Sequence, residues 1–382
     1  MEFRKKLHLA FSIATAMCLF LCAYHSAILT PSPPWMWRGC SGATEVPEEE
    51  SFGAAPPAPR AANGRQRWSV WNEFSTSISK EVLQSLKVQW ATNRFRVPRN
   101  LTRRNATLGR EELLCELKTR VPLGTIRAGD GPFLGSKWKK VLPAETLAEK
   151  LGPFKTCAVV MSSGSIRNST LGVEIDSHDA ILRLNTAPTD GYSVDVGNRT
   201  TIRIINTQVM MSAAFLTDPL YSTGALIVRH PVPYSRDPYA LYKKRNYDFL
   251  QRYREYRRLR PQQPFYILSA SFQWNLWDVI QENSPMDIQP NPPSSGMLGV
   301  AVMMNICEQV SVYEFLPSHR KTRLCHYFQN VYNWQCTAGH YHPVTFEKNL
   351  VKRLNRGSEF DIYARGKVML RGFSQQWCPK KL

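Results

Sequence analysis

Seven apolar runs of only four or five residues punctuate the chain: "CAVVM" (Cys157–Met161), "AILRL" (Ala180–Leu184), "TIRII" (Thr201–Ile205), "ALIVR" (Ala225–Arg229), "FYIL" (Phe265–Leu268), "VYEFL" (Val312–Leu316) and "KVML" (Lys367–Leu370). They are too short for buried helices and read as strands. Helical patterns fall at Trp274–Glu282, Gly296–Gln309 and Thr345–Asn355. Strands separated by helices predict an α/β fold built on a mostly parallel sheet covered on both faces. Such sheets bind ligands beyond the carboxyl ends of their strands.

Three of these runs end in small hydroxyl or amide residues. "CAVVM" meets Ser162-Ser163-Gly164-Ser165, "AILRL" meets Asn185, and "TIRII" meets Asn206-Thr207-Gln208. Asn donates and accepts, and Ser beside Gly lets backbone approach an anion, so these tips suit a polar, hydroxyl-rich ligand. The alternative is that they simply form turns. A fourth candidate lies in "PNPPSSGMLGVAVMMNIC" (Pro290–Cys307). Ser294 or Ser295 caps an apolar helix there, and the free N–H groups behind it form an anion site. No Gly-Lys-[Ser/Thr] follows, so it is not a P-loop.

The N-terminus sets the compartment. Arg4-Lys5-Lys6 precede Leu7–Leu29, a run without Asp, Glu, Lys or Arg. It is long enough to cross a ~30 Å hydrocarbon core. The preceding cations place residues 1–6 in the cytosol and everything after residue 29 on the far side. A cleaved signal peptide is the alternative; the apolar run is longer than its usual h-region of ~7–15 residues, which favours an uncleaved anchor. Residues 30–66 are rich in Pro, Ala, Gly and Ser and read as a stem. Residues 67–108 are polar, with helical potential near Ser79–Trp90, and read as its end, so the globular domain spans 109–382. The lumen is oxidising. Sequons occur at Asn100, Asn105, Asn168 and Asn198. Beyond the anchor and Cys40, the six cysteines Cys115, Cys157, Cys307, Cys325, Cys336 and Cys378 allow three disulfides in fifteen pairings. The formal net charge of +19 points to an anionic partner or to a generally basic solvated surface.

With these residues in view, the chain resembles the animal sialyltransferase family. Cys157–Gln208 resembles its large motif, "PFYIL" and "QPNPPSSGMLGVAVMMNICEQVSVYEF" the lead-in and small motif, and "HYFQ" (His326–Gln329) the third motif. His342 followed by Glu347 resembles the very small motif. "YEFLPSHRKT" and "EKNLVKRLN" look most like β-galactoside α-2,6-sialyltransferases. The resemblance implies transfer of sialic acid from CMP-sialic acid to the 6-hydroxyl of a terminal β-galactose, usually in Gal-β1,4-GlcNAc on glycoproteins. It implies a Golgi type II membrane protein whose stem, if cut, releases a soluble form. The implied fold is one Rossmann-like domain with a roughly seven-stranded sheet, a variant of the glycosyltransferase A fold. Carried over by motif, Ser162, Asn185, Asn206, Ser294, Ser295, Gly296, His326, Thr337, Tyr341 and Lys348 serve the donor. Gln208, Gln329 and Glu347 serve or support the acceptor. The implied disulfides are Cys157–Cys307, Cys325–Cys336 and Cys115–Cys378. Three positions depart from the pattern: His326 stands where close relatives often have Tyr, Asn246 where an acidic acceptor contact is expected, and His340 where relatives have a small residue.

The chemistry follows from the groups. A galactose hydroxyl is a poor nucleophile until a base takes its proton. Histidine, ordinarily near pKa 6.5, does this at a gain of ~10²–10⁴-fold. His342 is the expected base, and direct attack inverts the anomeric centre. Glu347 either positions His342 or the acceptor, or starts a helix. No Asp-x-Asp occurs, and two histidines alone do not make a hard-metal phosphate site. The expectation is metal-independent activity, with Lys348, His326 and helix N–H groups facing the phosphate. No cofactor is expected beyond the co-substrate. The basic run Lys243–Pro261 alternates Arg with aromatics, but a lumenal domain does not meet nucleic acid; it reads as a solvated helix with its tyrosines inward. A homodimer is compatible with the sequence. The rival functions are a binding protein without catalysis and a nucleotide-sugar hydrolase.

Overall fold

The computed structural model describes residues 78–379, apart from Asn105, 244–247, 334–335 and 337–338. The expected anchor and most of the stem, with Asn105, Thr337 and Asn246, lie outside the described residues. Among the described residues no helix is long and apolar enough to cross a membrane.

All seven strands pair into one sheet: β1 (Phe154–Val160), β2 (Ala180–Leu184), β3 (Ile202–Asn206), β4 (Ala225–Arg229), β5 (Phe265–Ile267), β6 (Cys307–Tyr313) and β7 (Lys367–Arg371). The order is β5-β4-β3-β2-β1-β6-β7. Every pairing is parallel except β6 with β7. β2 and β4 are buried at every position, as strands covered on both faces must be. Two arginines are buried in the middle of the sheet. Arg183 on β2 donates to the carbonyls of Val196 and Arg199, and Arg203 on β3 to those of Asn185 and Ala187. These bonds fasten the loops beyond the strand tips, because a buried guanidinium requires acceptors.

Six helices of eleven or more residues occur among the described residues: α1 (Lys80–Thr92), α2 (Arg110–Arg120), α3 (Phe249–Leu259), α4 (Ala270–Glu282), α5 (Ser295–Ile306) and α6 (Val344–Leu354). α5 is apolar around nearly its whole circumference and fully sheathed, as a core helix should be. It lies across β1, β2, β3 and β6. Gly299 permits the close approach, since a Cβ there would stand 2.9 Å from Leu182 Cδ2. In α3 the tyrosines do point inward: Tyr253 and Tyr256 are buried, and their hydroxyls donate to the Phe265 carbonyl and Gln263 Oε1.

Several boundaries differ from the sequence expectation: β1 starts at Phe154 rather than Cys157, and α4 at Ala270 rather than Trp274. The helix expected to reach Gln309 ends at Ile306, and the strand expected at Val312–Leu316 is β6, Cys307–Tyr313. Cys307 is already extended (φ −123°, ψ 152°) and pairs with Phe154. Glu314 then leaves the sheet at φ +58° and turns its carboxylate to Ser165, Ser318 and Arg320. The packed region also starts before residue 109. α1 buries Val82 and Leu86, and Phe95 and Val97 follow it into the same core.

The three disulfides pair as the resemblance implied. Cys157–Cys307 joins β1 to β6, Cys115–Cys378 ties α2 to the C-terminal segment, and Cys325–Cys336 closes a loop, with Cα separations of 6.2, 5.5 and 5.4 Å.

Candidate active site

The site is organised by the start of α5. Pro290, Pro292 and Pro293 prevent an earlier helical start. Ser294 is the cap: it is extended (φ −62°, ψ 156°) and its Oγ accepts from Met297 N at 3.1 Å. Glu347, on the first turn of α6, accepts from Ser294 N at 2.7 Å and from Ser294 Oγ at 2.6 Å. Its side chain is wholly buried, and burial pushes the carboxyl up to about 7 against the hydrogen bonds from Ser294 and the charges of Arg229 and Lys348. Glu347 thus braces the α5 start; among the described residues it bonds neither His342 nor any other candidate acceptor residue.

A cavity of about 530 Å³ opens beside this start. Ser162, Ser294, Gly296, His326 and Lys348 are on its walls, so five of the expected donor residues from four parts of the chain come together. A Cβ on Gly296 would stand 2.9 Å from Met161 Sδ and 3.3 Å from the Phe315 ring, so the bare backbone keeps the wall open. Burial draws the Lys348 ammonium down to about 8, against the attraction of Glu347 and Glu314. His326 bonds Gln329 Oε1 through Nδ1 at 2.7 Å and stacks on Phe328. The Cys325–Cys336 disulfide lies on the same wall.

His342 sits on the other side of the α5 start. Its Nδ1 is 2.7 Å from the Pro292 carbonyl, which can only accept, so Nδ1 carries the proton and Nε2 the lone pair. Arg229 Nη2 donates to Nε2 at 3.3 Å, and Arg229 Nε donates to Ser295 Oγ at 3.2 Å. Burial first, then the guanidinium, push the imidazole down to about 3, against the Pro292 carbonyl. The imidazole is therefore neutral across the physiological range, far below the ordinary value assumed from sequence. His340 does not share this site; its Nδ1 meets Ser85 Oγ of α1. Tyr341 packs edge-on against His342 at 4.7 Å between ring centres.

The remaining expected residues lie at strand tips but not on the cavity wall. Asn185, at φ +48°, accepts from Asn206 N at 3.1 Å, and Asn206 Oδ1 caps the short helix that follows β3. Gln208 is exposed on that helix. Asn100, Asn168 and Asn198 are exposed, as sequons must be to be modified. The sequence reading missed Arg229, Glu314, Lys321 and Thr322, the last three on the cavity wall. A cation closing the run "ALIVR" was the available signal for Arg229. Among the described residues no three His, Cys, Asp or Glu side chains group to hold a metal.

A capped helix start and a neutral imidazole thus lie together at the carboxyl edge of the sheet, where α/β folds bind their ligands. The profile of glycosyltransferase family 29 (sialyltransferase) matches residues 102–358, and the chain belongs to that family. It is 47% identical over 312 residues to the mouse β-galactoside α-2,6-sialyltransferase 1, covering 81% of this chain and 77% of that one. The human enzyme of the same name is 46% identical over 316 residues, with the same coverage. Human β-galactoside α-2,6-sialyltransferase 2 is 46% identical over 318 residues, covering 82% of this chain but only 60% of its own length.

Proposed function

We propose that this chain transfers sialic acid from CMP-sialic acid to the 6-hydroxyl of terminal β-galactose, with His342 as general base and without a metal. The observation that carries the reading is the fixed tautomer of His342 beside the α5 start. Its Nδ1 proton is committed to Pro292, which leaves Nε2 to take the proton of the galactose hydroxyl. The hydroxyl oxygen then bonds to the anomeric carbon as the bond to the phosphate oxygen breaks, and its electron pair leaves on CMP. Lys348, His326 and the N–H groups opening α5 face the departing charge. Ser162 and Gly296 leave room for the nucleotide sugar. Galactose and the α-2,6 linkage come from the names of the relatives. Leu7–Leu29 anchors the chain as a type II protein of the Golgi membrane, with the folded part in the lumen.

The test is the product. The full chain in detergent, given CMP-sialic acid and Gal-β1,4-GlcNAc, yields a sialylated trisaccharide cut only by a sialidase that accepts α-2,6 linkages. EDTA leaves the rate unchanged. Free sialic acid released without acceptor would identify a hydrolase, and CMP binding without turnover a binding protein. A rate lost to EDTA and restored by a divalent cation would end the metal-free reading.

A further inference from the structure

Arg229 is 6% exposed at the carboxyl end of β4. A guanidinium carries five N–H donors and is costly to bury without an anion. Its bonds go to two neutral atoms, Ser295 Oγ and His342 Nε2, and no ion pair forms with it among the described residues. Glu347 attracts it only through space. It is therefore a buried cation whose hydrogen bonds among the described residues go to neutral atoms, placed beside a helix start that favours anions. It also occupies the lone pair that the proposed reaction needs. A base held near 3 is too weak to serve at neutral pH, since general-base catalysis works best when the base's pKa is near the working pH.

Resting on the function proposed above, we infer that Arg229 is a latch: it caps His342 Nε2 in the empty enzyme and turns to the sialyl carboxylate when the donor binds, freeing the base. Arg229 is thus a positioning residue that makes proton abstraction follow donor binding. The groups around the pair are Tyr341 on the His342 loop, Ser295 on α5 and Glu347 on α6. The pair's own positive charge comes from Arg229. Removing it lets the imidazole rise, so the base becomes protonated at a pH where the wild type is still neutral.

The experiment compares Arg229→Met with the wild-type chain by CMP affinity, CMP-sialic acid affinity, and the pH profile of kcat/KM for the donor. CMP lacks the carboxylate. The variant is expected to keep wild-type CMP affinity and bind the donor about tenfold more weakly, the loss of one charge-assisted hydrogen bond. Its acid limb is expected to move up from the wild type's, while burial, the larger cause, still holds it below the ordinary histidine value. Equal losses for CMP and donor, or an acid limb that does not move, would overturn the latch. If Arg229→Met does not fold, Arg229→Lys carries the test. It keeps the charge, so its acid limb stays low while the preference for donor over CMP falls; a moved limb or an unchanged preference overturns the latch. Wild-type transfer and its loss in His342→Ala test the underlying function separately, so an active wild type with indifferent Arg229 variants removes the latch alone.

Discussion

Glu347 and Arg229 show how little of a residue's role its neighbours in sequence carry. Glu347 follows His342 by five positions, and the sequence leaves it between positioning His342 or the acceptor and starting a helix; its oxygens fasten Ser294, the cap of a different helix. This makes a stability prediction with a definite sign. The folded value, about 7, lies above the usual 4.5, so folding favours the protonated form. The stability linked to that proton is complete below the unfolded value and is lost as pH rises through about 7. Glu347→Gln has no such proton. Its melting temperature relative to wild type should climb between pH 5 and pH 8, by the equivalent of on the order of 2 kcal/mol. A difference that is flat with pH would mean that the carboxylate is comfortably ionised at the α5 start. Arg229 was missed for the opposite reason. An arginine ending an apolar run reads as a strand edge, and only the fold brings His342, more than a hundred positions away, to its Nη2.

At the level of elements, the strands were legible because each is a short apolar run between polar stops. The border between α5 and β6 was not. "GVAVMMNI" runs directly into "CEQVSVY", and the change of period from helix to strand has no Gly or Pro to mark it. α1 was assigned to the stem because most of its surface is polar, its buried stripe being only Val82, Ser85 and Leu86. The helix nonetheless bonds to both loops around His342. Ser85 meets His340, Trp90 Nε1 donates to the Ile288 carbonyl, and Gln89 accepts from Asn291, which also donates to the Tyr341 carbonyl. α1 therefore clamps both the loop carrying His342 and the proline loop that fixes its tautomer. Leu86→Ala should cost about 2–4 kcal/mol in chemical denaturation, the range for a buried leucine. A cost below about 0.5 kcal/mol is the behaviour of a surface position and would return α1 to the stem.

For the whole molecule, three disulfides and one helix start divide the work. Cys157–Cys307 locks the middle of the sheet, and its sulfurs are buried with β1 and β6; Cys325–Cys336 shapes the cavity wall. Six cysteines leave fifteen pairings open by counting, and only the family's motif order selected the one found. For the site, a capped helix pointed to the edge of the sheet where the cavity opens, but the depressed imidazole and its guanidinium neighbour depend on burial, which no local pattern records. The proposed reaction rests on His342 as the group that takes the sugar proton. The most direct measurement is turnover of His342→Ala with CMP-sialic acid and Gal-β1,4-GlcNAc, alongside its CMP affinity. The account predicts a kcat lower by ~10²–10⁴-fold with CMP binding intact; turnover within a few-fold of wild type would contradict it.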